Sequence, residues 1–298
     1  MSENQSPVRS YLKAKRNLED YCNICGERKK LTYDHIPPKC CFNDVKAIPL
    51  PFFSGEPEKY NPSCAQNGIK FRSICDACNN GLLGKYDKEL ECYVGKIKEL
   101  FSTNEELQGT YNIPTKINRL ARSIAGHMLA MRNRYSGVEN LIDQELRLYL
   151  RDDQAVPPEN FKLLMWFYPY STVFIIRDVV ASNVFNVNQA TPDGLLSALS
   201  SFPTAFILTD GIQTCDLFDV FSACTSNIDE DVEIPFDFNS AFFPQSSAIR
   251  HMQWPCNISD DGFGANMLLC SENAINDAVY ANRNNADIRE RLQNRRKL

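Results

Sequence analysis

The spacing of apolar and polar positions along the chain predicts three helices between residues 79 and 150. From Asn79 onward, apolar residues recur at helical spacing, at Leu82, Leu83, Tyr86, Leu90 and Tyr93. Pro114 is predicted to open a second helix, because proline is favoured in a first helical turn. One apolar stripe follows it, formed by Ile117, Leu120, Ala121, Ile124, Met128 and Met131. A third helix is expected over residues 138–150.

Other segments predict strands. Residues 161–168 and 172–181 are rich in aromatic and β-branched residues, which predicts a β-hairpin that turns at Tyr168–Ser171. Phe202–Thr209 and residues 69–74 (IKFRSI) predict two further strands. Residues 36–69, rich in Pro, Gly, Asn and Ser, predict a long loop, and a polar helix is expected from about Ser271. The pattern predicts an α+β fold.

The composition is 43% hydrophobic and 23% charged, which is typical of a soluble globular protein. No stretch approaches the roughly 20 apolar residues of a membrane helix. The N-terminus also lacks the apolar run of a signal peptide. We therefore expect a cytoplasmic protein with no membrane partner.

The charge is divided unevenly between the two parts of the chain. The net charge of −5 argues against a nucleic-acid partner, but residues 1–100 hold 16 Lys/Arg against 13 Asp/Glu. Residues 101–298 hold 16 against 24. This basic excess favours a phosphate-binding domain over residues 1–100. Residues 101–298 are predicted to form a mixed α/β domain with little DNA contact and a regulatory, partner-binding or dimerising role.

Twelve cysteines are many for a chain in a reducing compartment, where close cysteine pairs point first to metal. Cys22/Cys25 and Cys75/Cys78 are both Cys-x-x-Cys pairs. Four such thiolates form a tetrahedral set for structural Zn²⁺. Gly26 lies where the turn after such a pair usually needs glycine. The other eight cysteines are expected to be small buried residues.

Candidate catalytic residues lie between and directly after these pairs. The segment YDHIPPK contains Asp34 and His35, and Asn79 follows the last cysteine. A neutral imidazole can act as a general base near neutral pH. The carboxylate of Asp34 and the carbonyl oxygen of Asn79 suit a hard cation such as Mg²⁺ or Mn²⁺. Since neighbours in a strand point to opposite faces, Asp34 and His35 can share a site only if the chain bends or both approach it from two sides.

The order C-x2-C, D-H, C-x2-C-N resembles the HNH, or ββα-metal, nucleases over about residues 20–95. It is closest to their cysteine-rich branch, which includes recombination endonuclease VII. The segments DHIPPK and CDACNN are also similar to many bacterial HNH proteins, some of which act in antiphage defence. The resemblance implies that His35 activates water and that Asp34 and Asn79 bind a catalytic divalent metal. It also implies that the four cysteines hold zinc and fix a hairpin against a helix. The implied protein is a DNA endonuclease that leaves 5′ phosphates, with a homodimer and a regulatory or defence-system partner as further expectations.

The chain departs from this family at several positions. The strand IKFRSI has no asparagine to orient the base; Asn67 precedes it, and a backbone carbonyl is the alternative. Asn80 and Asp87 are polar positions on the emerging helix, and Asp87 is equally an additional metal ligand, a partner of a ligand or a surface charge. Lys39 and Arg72 are either phosphate contacts or solvated cations.

A competing hypothesis is a non-catalytic zinc-binding module that binds nucleic acid or a protein partner. The Asp34–His35 pair and Asn79 favour the enzyme, because a purely structural zinc module has no need of them.

Overall fold

The computed structural model describes residues 16–43, 49–51, 68–102, 110–132, 135–137, 140–168, 173–181, 194–210, 217–237 and 268–270. These residues form a mixed structure of helices and antiparallel strands, so the predicted α+β class is confirmed. The helix expected from Ser271, and much of the loop expected over residues 36–69, lie outside the described residues.

A small N-terminal sheet lies next to both cysteine pairs. It consists of β1 (Glu19–Tyr21), β2 (Arg28–His35) and β4 (Lys70–Cys75), in the order β1-β2-β4 with antiparallel pairing. Gly26, in the turn between β1 and β2, has a φ of 74°, so the predicted need for glycine is confirmed. A 3-10 turn, Lys39–Cys41, follows β2.

Strand β4 leads directly into a helix, as the sequence predicts. A π-helical segment, Ala77–Leu83, continues as α1, Gly84–Ser102. Four of the five apolar positions that predicted this helix are buried: Leu83, Tyr86, Leu90 and Tyr93. Because β2 and β4 are antiparallel neighbours and the helix follows β4 directly, the second cysteine pair lies close to the first.

The second helix, α2 (Ile117–Ala130), begins three residues after the predicted start. Pro114 lies instead in β5 (Thr110–Lys116), which pairs with β11 (Asp231–Asp237) in a ribbon of two strands. The prediction of a helix start at Pro114 is wrong because a ribbon edge needs no N–H donor at every position and accepts proline. Strand β11 lies far along the chain, so local sequence could not indicate this pairing.

Seven strands form a larger sheet, six of them from the second part of the chain and one, β3 (Pro49–Pro51), from the first part. Its order is β10-β6-β9-β8-β7-β12-β3, and every pairing is antiparallel. The third helix, α3 (Leu141–Arg151), matches the helix expected over residues 138–150. The strands are β3 (Pro49–Pro51), β6 (Lys162–Phe167), β7 (Val173–Ala181), β8 (Gly194–Ser201), β9 (Thr204–Thr209), β10 (Phe218–Asp219) and β12 (Leu268–Cys270).

The predicted hairpin between residues 161–168 and 172–181 is wrong, although both strands exist. Strand β6 pairs with β9 and β10, and β7 pairs with β8 and β12. The hairpin β8–β9, which turns at Phe202–Pro203, lies between them, and Tyr168 N donates to Pro203 O at 2.8 Å. All four strands contain several apolar residues, so hydrophobic pattern identifies strands here but not their neighbours.

Helix α2 is buried on nearly all sides, and not only along its apolar stripe. Its polar residues Asn118, Arg122, Ser123 and His127 are also buried. Gly126 permits the close approach of the helix to the π-helical segment, because a Cβ there would lie 2.0 Å from Leu83 Cδ2. Buried polar side chains require partners, and those of α2 are found in both parts of the chain.

The C-terminal end of α2 is joined to the N-terminal sheet by side-chain hydrogen bonds. Asn23 Nδ2 donates to Leu129 O at 3.0 Å and to Arg132 O at 2.9 Å, and Ser73 Oγ donates to Ala130 O at 2.5 Å. Carbonyl groups at a helix end have no intrahelical donor, so these contacts satisfy them. One continuous hydrophobic core runs from Cys22 to Phe236. The division of the chain into two domains at residue 100 stays a prediction.

No helix among the described residues has the length and apolar character needed to cross a membrane.

A buried carboxylate, Asp143 of α3, joins the helices to the large sheet. Arg132 Nε lies 2.6 Å from its Oδ2, Arg147 Nη2 lies 3.7 Å from the same oxygen, and Arg177 of β7 contacts Oδ1. Burial raises the pKa of Asp143, but Arg177 and Arg132 outweigh burial and hold it below its usual value. One buried carboxylate therefore pairs with three guanidinium groups.

We predict that Asp143→Ala lowers the free energy of unfolding by about 3–5 kcal/mol, because it leaves buried cations without their anion. Urea unfolding measures this difference. Asp231→Ala is the control, since Asp231 is 59% exposed and lies 3.8 Å from Lys116. The control should change stability by less than about 0.5 kcal/mol. Equal losses in the two variants would contradict the role of Asp143.

Candidate functional site

The four cysteines predicted to bind zinc meet at one point. The Sγ atoms of Cys22, Cys25, Cys75 and Cys78 all lie within 4.8 Å of one another, and those of Cys25 and Cys75 are 3.9 Å apart. A tetrahedral ion with Zn–S distances of about 2.3 Å requires sulfur atoms about 3.8 Å apart. The cluster therefore fits a zinc ion with little adjustment.

The protonation of these thiols is uneven. The pKa of Cys22 is lowered to about 5, chiefly because the Cys78 side chain hydrogen-bonds to its sulfur, although burial opposes this effect. The pKa of Cys78 is raised by the same hydrogen bond and by burial. Burial also raises the pKa of Cys25 to about 11. Four crowded thiols that share protons in this way favour a cation that can replace those protons.

Among the other eight cysteines, the prediction of burial holds for Cys41 and is wrong for Cys92, which is exposed. Cys92 lies on the solvent side of α1, next to the buried Tyr93. Cys40 and Cys224 are half-buried. Cys64, Cys215 and Cys256 lie outside the described residues, as does the side chain of Cys270.

Strand β2 ends at the predicted Asp-His pair. Across the ribbon, Asp34 is opposite Phe71 and His35 is opposite Lys70. Neighbours in a strand point to opposite faces, so the two side chains leave the strand on different sides. The Asp34 side chain is only 13% exposed and points towards α2.

Asp34 meets a histidine that sequence reasoning did not single out. The Nδ1 atom of His127, in α2, lies 3.3 Å from Asp34 Oδ2. Its Nε2 atom lies 3.0 Å from Oδ1 of Asp87, in α1. Ser123, one helical turn before His127, donates to the same Asp87 oxygen at 2.6 Å. The sequence signal was the polar pair Ser123/His127 at i and i+4 beside the apolar stripe of α2.

The charge on His127 follows from its neighbours. Burial lowers the pKa of His127, but the carboxylates of Asp87 and Asp34 outweigh burial, so the pKa lies well above 6.5. An imidazolium has a donor on each nitrogen, which matches one carboxylate on each side. Asp87, for which three roles were open, is thus hydrogen-bonded to Ser123 and His127, and its side chain is 30% exposed.

Asn79 lies at the start of the helix and contacts β2. Its Nδ2 donates to Thr32 Oγ1 at 3.1 Å and to the carbonyl of Tyr33 at 3.2 Å. Both hydrogen bonds use the amide nitrogen, so Oδ1 is the atom suited to bind a cation. Asn80 is exposed and donates to Asp76 Oδ1 at 2.6 Å, within its own helical turn.

Two cations named from sequence occupy different surroundings. Arg72 is half-buried, and its guanidinium lies 4.3 Å from the ring centroid of Tyr33, which is 44% exposed. Lys39 is exposed in the 3-10 turn after β2. Arg72 thus belongs to the ribbon that carries His35, whereas Lys39 lies beyond its end.

A buried asparagine holds the segment that follows His35. Asn43 Nδ2 donates to Pro37 O at 2.5 Å and to Ile69 O at 2.9 Å, and Ile69 N donates to Asn43 Oδ1 at 2.7 Å. Asn43 therefore ties the end of β2 to the start of β4. The sequence analysis did not single out Asn43, which joins backbone segments; Asn67, the asparagine nearest to β4, lies outside the described residues.

No protein-family model, curated protein or solved structure matches the chain.

We predict that the protein binds one zinc ion per chain and that Cys75→Ser abolishes this binding and lowers the melting temperature. The reason is that three thiols leave the tetrahedral set incomplete. Elemental analysis after dialysis measures the zinc content, and a thermal melt with and without a chelator measures the stabilisation. The exposed Cys92→Ser is the matched control and should retain full zinc content. Retention of zinc by Cys75→Ser would count against the four-cysteine site.

Proposed function

We propose that this protein is a metal-dependent endonuclease of the HNH type that hydrolyses DNA phosphodiester bonds. The observation that carries the proposal is the contact between the end of β2 and the start of the helix. Asn79 donates to the carbonyl of Tyr33, the residue before Asp34, directly after the fourth cysteine. Two potential oxygen ligands are thus linked, next to a histidine and beside a cluster suited to zinc.

The donor atoms near Asp34 fit a hard divalent cation. The ion pair with His127 uses Asp34 Oδ2, and the hydrogen bonds of Asn79 use Nδ2. Asp34 Oδ1 and Asn79 Oδ1 are therefore the ligand atoms proposed for Mg²⁺ or Mn²⁺, with phosphate oxygens and water completing the set. When bound, this ion supplies positive charge against the charge that develops on the scissile phosphate.

His35 is the proposed general base. It is half-buried at the last position of β2, next to the proposed metal ligand Asp34, and an imidazole is the most frequent general base. Asp34 and His35 leave the strand on opposite faces, so the proposal requires the scissile phosphate to lie past the end of β2. There the strand stops and a phosphate can be approached from both sides.

The face of the ribbon that carries His35 suits a nucleic-acid backbone. Cross-strand pairing puts Tyr33 opposite Arg72 and His35 opposite Lys70. Two cations and an exposed aromatic ring thus flank His35, and such side chains contact phosphates and bases. The zinc site proposed at the four cysteines would fix β2, β4 and the helix relative to one another.

Other attributes of the proposal rest on the sequence alone. The choice of DNA, a homodimer, a regulatory or defence-system partner and a role in antiphage defence come from the resemblance. A cytoplasmic location comes from composition. The alternative function is a non-catalytic zinc module that binds nucleic acid or a protein. The same basic and aromatic face of the ribbon would serve such a module, which needs no catalytic residues.

We predict that the zinc-loaded protein nicks or cuts plasmid DNA in Mg²⁺ or Mn²⁺ and that His35→Ala lowers the rate by about 10²–10⁴-fold, the usual contribution of a general base. Gel analysis of plasmid topology measures the rate. Glu159→Gln, at an exposed position in the second part, is the control and should match the wild type. Absence of cleavage by the wild type in either metal, or equal cleavage by His35→Ala, would favour the non-catalytic alternative.

We predict that Arg72→Ala weakens DNA binding and lowers the slope of log K against log salt by about 0.9, the value for one lost phosphate contact. Fluorescence anisotropy without added divalent metal measures this slope. The same titration of Lys39→Ala decides between a phosphate contact and a solvated cation. Arg151→Ala, an exposed arginine at the end of α3, is the control. An unchanged slope for Arg72→Ala would exclude its contact with phosphate.

A further inference from the structure

The buried imidazole of His127 joins side chains from three elements of the structure. Asp34 is on β2, Asp87 is on α1, and His127 is on α2. The His127 side chain is 1% exposed, and each of its ring nitrogens faces one carboxylate, at 3.3 Å and 3.0 Å. A side chain with this geometry determines where both carboxylates lie.

The two carboxylates differ in their other contacts. Asp87 also accepts a hydrogen bond from Ser123, and its Oδ1 is shared between Ser123 Oγ and His127 Nε2. Asp34 uses Oδ2 for His127 and lies beside the residue that Asn79 contacts. Asp87 is thus directed at the histidine, whereas Asp34 has a second oxygen for another ligand.

A carboxylate that binds a metal is commonly held by a hydrogen-bond donor behind it, and loss of that donor typically weakens metal affinity or activity by about 10–100-fold. His127 stands behind Asp34 as the partner in an ion pair, with its Nδ1 atom 3.3 Å from Asp34 Oδ2 and without the alignment of a full hydrogen bond. Asp87 and Ser123 in turn fix the imidazole. The order of contacts is Ser123, Asp87, His127, Asp34.

We propose that His127 is a positioning residue, which orients Asp34 for the divalent metal, and that Asp87 acts through His127 and is not a metal ligand. This inference rests on the proposed function, in which Asp34 binds the metal. Helix α2, in the second part of the chain, then contributes the residue that contacts the proposed metal ligand Asp34. Residues 1–100 would then contain the proposed metal ligands Asp34 and Asn79 but not His127, which orients Asp34.

The test is Mn²⁺ binding by the zinc-loaded full-length protein without DNA, measured by the electron paramagnetic resonance signal of free Mn²⁺. His127→Phe keeps the ring volume but removes both donors. We expect its dissociation constant for Mn²⁺ to rise by about 10–100-fold. Asp87→Asn should raise it by a smaller factor, because the imidazole remains but loses one of its two acceptors. Asn118→Ala removes another buried polar side chain of α2, one that donates to the carbonyls of Thr225 and Asn227; it is the matched control and should stay within about 2-fold.

Zinc content and circular dichroism show whether each variant is folded. If His127→Phe does not fold, His127→Gln replaces it, because its polar amide reaches the position of Nε2 beside Asp87 and leaves Asp34 without the Nδ1 group. That variant should then also raise the dissociation constant for Mn²⁺ by about 10–100-fold. A folded His127 variant whose Mn²⁺ affinity is within about 2-fold of the wild type would overturn the positioning role.

Asp34→Asn separates this inference from the proposed function. If Asp34→Asn binds Mn²⁺ as tightly as the wild type, Asp34 is not a ligand, and both the proposed metal site and the role of His127 fail. If Asp34→Asn loses binding while the His127 variant retains it, only the positioning role fails. If Asp87→Asn loses binding as completely as Asp34→Asn, Asp87 is itself a ligand and the assigned order of contacts is wrong.

Discussion

Helix α2 is buried on nearly all sides although its sequence is amphipathic, and each of its polar groups must therefore find a partner away from water. Arg122 meets this need with the carbonyls of Asp152, Asp153 and Ala155. His127 meets it with two carboxylates. An amphipathic helix normally exposes its polar face to solvent. Because that face of α2 is buried, the elements packed around it must keep the positions that give its polar groups their partners.

The proposed chemistry separates two kinds of donor atom. Cysteine sulfur atoms gather at one end of the β2–β4 ribbon, and the carboxylate of Asp34 and the imidazole of His35 lie at the other end. Soft sulfur ligands select zinc, whereas hard oxygen ligands suit Mg²⁺ or Mn²⁺. The two sets need not exchange ions, because each has the donor type that the other ion disfavours. The residues Thr32 and Asn79, joined by a hydrogen bond, lie between the two sets.

How far the sequence predicts this structure depends on whether the signal is local. The cysteine pairs, the turn at Gly26 and the helix after Asn79 are each specified within a few residues, and the structure confirms that these elements form where expected. The neighbours of β6 and β7, and the position of Pro114 in a strand, depend on strands that are distant in sequence. Those predictions failed because apolar patterning does not encode which strands become neighbours.

The candidate site divides in the same way. Asp34, His35 and Asn79 could be proposed from motif order alone. His127 could not, because a histidine in a helix gives no sign of which carboxylates it meets until the helix packs. Asn43 could not, because its role is to join two backbone segments whose closeness arises only from the fold. In both cases the sequence specifies a polar group, and only tertiary structure specifies its partner.

The hydrogen bonds that Asn23 and Ser73 make to the end of α2 have a consequence for biosynthesis. A ribosome releases the β2–β4 ribbon before it has made Leu129, Ala130 or Arg132. The side chains of Asn23 and Ser73 therefore lack these acceptors while the nascent chain grows, and Asp34 lacks His127. The ribbon can reach its final arrangement only after α2 has left the exit tunnel, so a chain interrupted before that point carries the ligand residues without their completed surroundings.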